Sequence, residues 1–455
     1  MSDRAAAGAR REMLTEPVPG LIRSLAMPTV VSTLITSVYN IADTFFVAKL
    51  GTEASGGVGI VFALMALIQA AGFAIGMGAG STISRLLGEK QEREAQVLAS
   101  TGVFLSLVFG AAVMAAGLLF LEPLMRILGA TDSILPYAVE YGRYILYGAP
   151  VMTASFVLGS LLRSEGRAKW SMIGIGAGGL LNLVLAPVFI FLCEWGISGA
   201  AIATAVSQTV SFLVLVGGFI GKRSVLHLSV RCIARRRESY GIIIKQGFPS
   251  FLRQGLASVA TVALNHQSAA CSDSAVAAMT IAGKIFMVAF SLMIGFGQGF
   301  QPVIGFNYGA EKWNRVRQSV RFTLKWSTLL AVALGAGGFF FAEKLMGLFQ
   351  QTDDQVVAIG AYALRAQSLA LPLVPVGIVG NMVFQAVGKA GISTFLSALR
   401  QGIVFLPLIW LMPSLWGLAG VQLAQAVSDG ITAMVCIPFL IIFWRRMRKK
   451  EQNIK

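Results

Sequence analysis

Charged residues are scarce in this sequence of 455 residues. Asp, Glu, Lys and Arg together make up 13% of it, whereas hydrophobic residues make up 56% and the mean hydropathy is +0.73. Because a soluble protein carries about 25% charged residues, this composition excludes a sizeable soluble domain and indicates a membrane protein. Twelve helical spans of about 20 residues each would take up a little over half of the chain.

Residues that ligate metals or form disulfides are also few. The four cysteines are scattered without a Cys-x-x-Cys pair, and the two histidines, His227 and His266, lie far apart in the sequence. This spacing argues against a metalloenzyme and a disulfide framework. No GxxxxGK[ST] motif occurs, which excludes an ATP-hydrolysing module of that type. We therefore expect no metal site, no cofactor other than a coupling ion, and no enzymatic activity.

Apolar stretches bounded by charged residues predict twelve spans, at 21–48, 56–83, 97–120, 138–162, 170–193, 199–221, 246–270, 276–306, 322–342, 356–386, 391–413 and 418–443. If the N-terminus is cytoplasmic, 28 Lys and Arg lie on the inward side when Arg23, at the inner end of span 1, is counted there. Three lie in outward segments and six others within spans. Cytoplasmic loops are enriched in Lys and Arg. This distribution predicts a multi-pass protein of the inner (plasma) membrane with both termini in the cytoplasm. It also explains the net charge of +16 without nucleic acid as a partner.

The two halves of the chain repeat each other at a constant separation in residue number, equal to that between Pro28 and Pro249. We call this separation the repeat offset. It places Pro28 on Pro249, Gly88 on Gly309, and Trp-Gly-x-x-Gly at 195–199 on the same pattern at 416–420. Six spans return a chain to its starting side, so the halves are parallel and related by a pseudo-twofold axis along the membrane normal. We predict an all-α membrane protein with two six-helix bundles around a cavity. Its predicted parts are a cytoplasmic tail (1–20), an N-terminal lobe (21–221), a basic cytoplasmic linker (222–245), a C-terminal lobe (246–443) and a basic cytoplasmic tail (444–455).

Polar residues inside the spans are the candidates for function, because a carboxylate near the bilayer centre costs about 2.5–3.5 kcal/mol on insertion scales. Asp43 in span 1 shares a helix face with Thr36, Asn40 and Thr44, beside Tyr39. Two interpretations stay open for this stripe. It is either an internal hydrogen-bond network that locks span 1 to its neighbours, or the surroundings of a carboxyl that carries a proton.

A second polar stripe lies in span 12, where Gln422 and Gln425 precede Asp429 at helical spacing. The basic residues Arg253 in span 7 and Arg400 in span 11 are each followed by a glutamine. They are either partners for carboxylates or residues that extend toward the interface.

Three segments resemble the multidrug and toxic compound extrusion (MATE) transporters. They are Asn40-Ile-Ala-Asp43-Thr-Phe-Phe in span 1, Gly78-Ala-Gly80-Ser-x-x-Ser84-Arg85-x-Leu-Gly88 after span 2, and Gly297-x-Gly-Phe-Gln301-Pro302-x-x-Gly-x-Asn307-Tyr-Gly309-Ala310 after span 8. The resemblance runs from about residue 20 to 443. It implies secondary antiport, in which amphipathic and often cationic compounds are exported in exchange for protons or sodium.

The resemblance also implies a coupling site in the N-terminal lobe. Asp43 matches the family's span 1 aspartate, with Asn40 one turn away, while Asn182 in span 5 and Thr204 in span 6 match residues near it. The family pattern Asn-x-x-x-Asp-Pro reads Asn182-Leu-Val-Leu-Ala186-Pro187 here, so one carboxylate is missing and protons are favoured over sodium. Asp429 matches an acidic position that some members have in span 12.

Candidate substrate-binding residues are Tyr39, Gln69, Gln254, Met287 and Gln298. Expected partners are small amphipathic molecules and the lipid bilayer, with the chain acting as a monomer. One alternative is a flippase of related fold for lipid-linked precursors, which would carry several Arg or Lys facing its cavity. A membrane-embedded enzyme lacks a catalytic constellation in this sequence, and a fixed channel fits the two-lobed repeat less well than alternating access does.

Overall fold

The computed structural model describes residues 2–220, 224–349 and 353–452, and this part of the chain contains helices and no strand. Spans 1 to 12 are the helices Val18–Val47, Thr52–Gly88, Glu92–Leu119, Leu135–Ser164, Ala168–Leu192, Gly196–Ile220, Arg237–Ala269, Asp273–Gly309, Trp313–Phe340, Asp354–Ala386, Ala390–Trp416 and Leu418–Gln452. Of these, all but span 7 are long and apolar enough to cross a membrane. Span 7 is more polar because it begins with Arg237 and carries Lys245 and Arg253. The prediction of an all-α membrane protein is confirmed.

Several helices extend beyond the apolar stretches that predicted them. Span 7 begins at Arg237, inside the predicted linker, and span 12 continues through the basic C-terminal segment to Gln452. The N-terminal segment also forms a helix, Ser2–Thr15, before span 1 begins at Val18. Residues 1, 221–223, 350–352 and 453–455, which belong to the predicted tails, lobes and linker, lie outside the described residues.

The backbone repeats at the same offset as the sequence. Gly196 and Gly417, which the repeat offset superimposes, have φ angles of 53° and 55° at the starts of spans 6 and 12. Glycine adopts this left-handed region without the steric cost that a Cβ atom imposes. The short helices Leu121–Ile127 and Ala342–Gly347 also begin at positions that the repeat offset superimposes. The two lobes are therefore built to one plan.

The lobes meet along an interface with the symmetry of the repeat. Span 2 packs against spans 7 and 8, and span 8 packs against spans 1 and 2. At one end of this interface, a Cβ atom on Gly88 would lie 2.3 Å from the Phe306 carbonyl oxygen, and one on Gly309 would lie 2.1 Å from the Arg85 carbonyl oxygen. We call this reciprocal contact between spans 2 and 8 the interlobe seam. Only glycine allows backbones to approach so closely.

The N-terminal helix bridges the two lobes beside the interlobe seam. The Arg10 guanidinium donates to the Gly88 carbonyl oxygen at 2.9 Å. From the other lobe, Arg315 donates to the carbonyl oxygens of Met13 at 3.2 Å and Glu16 at 2.7 Å. The segment before span 1 therefore ties span 2 to span 9.

A buried carboxylate attaches the linker to the N-terminal lobe. Glu165 is 1% exposed. It accepts hydrogen bonds from the Ser224 hydroxyl and from the backbone amides of Val225 at 2.9 Å and Leu226 at 3.2 Å. Arg167 lies 3.3 Å away. Burial raises the pKa of Glu165, and this effect outweighs the opposing effects of Arg167 and the hydrogen bonds.

Candidate functional site

Asp43 lies in the interior of the N-terminal lobe. Its side chain is 4% exposed, and the Tyr141 hydroxyl of span 4 donates to its Oδ2 atom at 3.4 Å. Its Oδ1 atom is buried and has no hydrogen-bond partner among the described residues. A buried carboxylate oxygen without a donor is costly when ionised. This environment suits a carboxyl group that takes up and releases a proton.

Asn182 and Thr204 form a direct pair in the same lobe. The Asn182 amide donates to the Thr204 hydroxyl at 3.1 Å, and the hydroxyl donates to the Ala200 carbonyl oxygen at 3.1 Å. Both side chains are buried, and Ala186, one turn beyond Asn182, is fully buried. The pair links spans 5 and 6, which pack against each other. Asn182, Thr204 and Ala186, which the sequence associates with Asp43, are therefore interior positions of its lobe.

Tyr39, beside the span 1 stripe, packs against span 5. Tyr39 is 8% exposed, and its ring would lie 3.3 Å from a Cβ atom on Gly179 of span 5. Asn40 is half-buried, and its carbonyl oxygen accepts a hydrogen bond from Thr44 at 2.9 Å. Glycines on span 5 thus allow the side of span 1 that carries Ile35 and Tyr39 to approach closely.

A cavity of about 430 Å³ lies in the C-terminal lobe. Residues of spans 7, 8, 10, 11 and 12 line it. Its polar lining includes Arg253, Gln254, Lys284, Gln367, Arg400 and Gln401. Phe286, Met287 and Phe290 of span 8 contribute an apolar wall. Pockets of about 300–1,000 Å³ hold drug-sized molecules, so this cavity is the candidate substrate site.

Asp429 lies beside this cavity in an ion pair with Arg400. The Arg400 Nε atom donates to Asp429 Oδ1 at 2.5 Å, and Nη2 donates to Oδ2 at 3.2 Å. The Gln425 amide donates to Oδ1 at 3.2 Å. Two parallel bonds of this kind are strong and directional. Because Asp429 is 2% exposed and satisfied by these donors, its geometry is that of a counter-ion.

The predicted substrate residues fall in different places. Gln254 and Met287 line the C-terminal cavity. Gln298 is buried and lines a small space of about 20 Å³ between the lobes. Tyr39 lies near Asp43 in the N-terminal lobe, and Gln69 is a half-buried residue of span 2 outside the lining of either cavity. Asp43 itself lines neither cavity.

The sequence did not single out two of the contacts that shape these sites. Tyr141 is fully buried and is the hydrogen-bond donor to Asp43. Its match to Tyr362 at the repeat offset marks the repeat and gives no sign of this role. Phe290, whose ring centre lies 4.3 Å from the Arg400 guanidinium carbon, could have been found only from the packing of spans 8 and 11.

The described residues contain no group of three or more His, Cys, Asp or Glu that could hold a metal ion. A multi-pass helical protein with two repeated lobes and a cavity has the architecture of a secondary transporter. This is the class that the fold and the cavity define.

Comparison with known proteins identifies the family. The MatE family model matches residues 28–188 and again residues 249–411. The second match begins at Pro249, the residue that the repeat offset places on Pro28 at the start of the first. The chain belongs to the MATE family, and the resemblance found in the sequence is confirmed. Members of this family are transporters, and the chain is a transporter rather than an enzyme.

Individual relatives match nearly the whole chain. The chain is 26% identical over 424 residues to the multidrug export protein MepA of Staphylococcus saprophyticus. The aligned region covers 93% of each protein. A crystal structure of MATE in complex with MaL6 has a TM-score of 0.92 at 26% identity, covering 96% of this chain and 99% of that one. An outward-facing multidrug resistance MATE family transporter has a TM-score of 0.91 at 27% identity, covering 96% and 98%.

Proposed function

We propose that the chain is a secondary active antiporter that exports amphipathic small molecules in exchange for protons. The observation that carries the proposal is Asp43, a buried acid with one unpartnered oxygen inside a two-lobed transporter. The similarity of the chain to a multidrug export protein supports export as the direction of transport. One chain contains both lobes, so we propose that it acts as a monomer. We also propose that it lies in the plasma membrane with both termini on the cytoplasmic side.

In the proposed mechanism, Asp43 and the C-terminal cavity are two sites coupled through the conformation of the lobes. The acid lies in one lobe and the cavity in the other. Substrate and proton therefore do not compete for one carboxylate in this conformation. Protonation of Asp43 from the outside favours the conformation open to the cytoplasm. Its deprotonation there favours the return, with substrate bound, to the conformation open to the outside. A coupling of this kind is reciprocal and is typically about 1–3 kcal/mol.

The residues near Asp43 support protons over sodium. Hard cations require several oxygen ligands, and carboxylates are the strongest of these. Ala186 stands where the family pattern has a second carboxylate. Asp43 is then the one acid of this group, which is sufficient for a proton.

The test is transport by the purified protein in liposomes, with pH and sodium gradients imposed separately. We expect a pH gradient alone to drive accumulation of a dye. Asp43→Asn keeps the shape of the side chain but fixes it in a neutral state, so uphill transport should be abolished while the protein stays folded. Asp132→Asn is the matched control, because Asp132 is an exposed acid of the same lobe. Wild-type rates for Asp43→Asn, or strict dependence on sodium at constant pH, would contradict the proposal.

A lipid-linked precursor flippase is the second candidate function. One observation favours it, because Arg253, Lys284 and Arg400 all line the C-terminal cavity. The same liposomes test it with a fluorescent lipid-linked sugar pyrophosphate in place of the dye. Movement of that lipid between leaflets without dye export would favour the flippase over the antiporter.

A further inference from the structure

The C-terminal cavity has a lining of one charge sign. Three basic side chains line it, Arg253 of span 7, Lys284 of span 8 and Arg400 of span 11. Among the described residues, no Asp or Glu is part of the lining. The Asp429 carboxylate, outside the lining, accepts hydrogen bonds from Arg400.

The charges in this cavity do not cancel. Asp429 neutralises Arg400 through two hydrogen bonds. Arg253 and Lys284 take part in none of the ion pairs of the described chain. The Nε atom of Arg253 is buried without any hydrogen-bond partner. Two positive charges therefore remain facing the cavity.

Cations without an ion-pair partner on membrane-spanning helices require a compensating negative charge. Charged side chains within a membrane are costly and are normally paired or used for function. The cavity also contains buried oxygen atoms of Gln367, Gln401 and Thr432 that have no partner among the described residues. A protonated group on a ligand, or water, can bond to these oxygens, but neither compensates two positive charges. An anion does.

Span 8 contributes an apolar wall to the cavity, next to the Arg400 guanidinium. Phe286 and Phe290 have stacked rings with centroids 6.3 Å apart, and Met287 lies between them in sequence and is 49% exposed. Methionine adapts to ligands of different shape, and aromatic rings stack on flat molecules. The cavity thus combines cationic side chains with a surface for a flat apolar body.

The backbone of span 11 departs from α-helical geometry at this place. Residues Leu399–Phe405 form a π-helical segment, which contains both Arg400 and Gln401. Segments of this kind inside α-helices are rare and occur frequently at functional sites. Here the segment carries two polar residues of the cavity lining, Arg400 and Gln401.

We propose that the C-terminal cavity binds an amphipathic organic anion. A carboxylate, sulfonate or phosphate group pairs with Arg253 and Lys284, and an aromatic body packs against Phe286 and Phe290. The inference rests on the proposed export function and names the substrate class for it. It departs from the cationic compounds that the family resemblance implies.

The test is a binding measurement that does not depend on transport. Fluorescein and rhodamine 123 share a three-ring body but carry opposite charge, and fluorescence anisotropy reports their binding to the purified protein in lipid nanodiscs. We expect fluorescein to bind at least about tenfold more tightly than rhodamine 123. Arg253→Gln and Lys284→Gln should each weaken fluorescein binding at least about tenfold, a loss typical of removing one partner of a desolvated charge pair. Arg253→Lys should retain most of the affinity.

Lys325→Gln is the matched control, because Lys325 is an exposed cation of the same lobe that does not line the cavity. It should leave fluorescein binding unchanged. Tighter binding of rhodamine 123 than of fluorescein by the wild type would overturn the proposal. So would an unchanged fluorescein affinity in both Arg253→Gln and Lys284→Gln.

Competition distinguishes the two sources of such an anion. Displacement of fluorescein by a naphthalene sulfonate supports a soluble organic anion, and displacement only by a long-chain isoprenyl pyrophosphate supports a lipid-linked one. Because binding is measured without a gradient, failure of proton-driven export leaves these results intact. Conversely, loss of anion selectivity would leave the antiport proposal standing.

Discussion

Substitution of Gly309 by alanine should open the interlobe seam. The added Cβ atom would lie 2.1 Å from the Arg85 carbonyl oxygen, far inside the 3.4 Å at which ordinary contact begins. The atom it meets belongs to the backbone of span 2 and cannot turn aside as a flexible side chain can. Spans 2 and 8 must therefore separate at this end.

The magnitude follows from the kind of clash. Overpacking of a tightly packed site costs about 1–3 kcal/mol. In a conformation where spans 2 and 8 are apart, the clash is absent and the substitution costs little. The equilibrium between the closed and open seam should then shift by roughly 5- to 150-fold toward the open one. Such a shift slows a transport cycle that must return through the closed state.

Spin labels on the two lobes measure this shift. Gln91→Cys and Lys312→Cys place labels on exposed residues that follow spans 2 and 8, in a background without native cysteines. We expect Gly309→Ala to move the distance distribution toward longer separations. Gly59→Ala is the control, because a Cβ atom on this glycine of span 2 meets nothing within 4 Å. An unchanged distribution together with wild-type transport would refute the steric reasoning.

Three further predictions concern the linker, the orientation and the coupling ion. Because burial raises the pKa of Glu165, its carboxyl binds a proton more tightly when the linker is attached than when it is detached. After correction for intrinsic exchange chemistry, the backbone amides of Val225 and Leu226 should become more protected from hydrogen exchange as the pH is lowered from about 7 to about 5. Glu165→Gln should lose this dependence. An impermeant thiol reagent should label Thr52→Cys but not Arg235→Cys in intact cells, and the reverse pattern would invert the topology. Ala186→Asp should make dye export from proteoliposomes respond to sodium at constant pH, and no response would mean that this carboxylate is not the missing ligand.

The sequence was sufficient to predict the spans but not the helix ends. Hydropathy marks where a helix leaves the apolar region, whereas the backbone continues while good helix formers follow. Arg, Lys and Glu are such residues, which is why span 12 continues through Arg445 to Gln452. Span 7 begins early for the same reason, with Arg237 and Glu238 in its first turn.

The candidate sites were predictable only as single polar positions. The stripe around Asp43 follows from helical spacing, because its members lie on one helix. Pairing between helices does not follow from spacing. Arg400 and Asp429 meet only because the π-helical segment of span 11 packs against span 12. The same applies to Tyr141, whose hydroxyl reaches Asp43 from span 4.

The internal repeat has a consequence for how the two lobes divide their work. At the repeat offset, Asp43 corresponds to Leu264, Arg253 to Ser32 and Lys284 to Ala63. Each of these charges is thus present in one copy and absent from the other, although the backbones follow the same plan. On the proposed roles, a chain made from two N-terminal lobes would have two proton carriers and no anion site. A chain made from two C-terminal lobes would have the opposite defect, so the duplicated halves are no longer interchangeable.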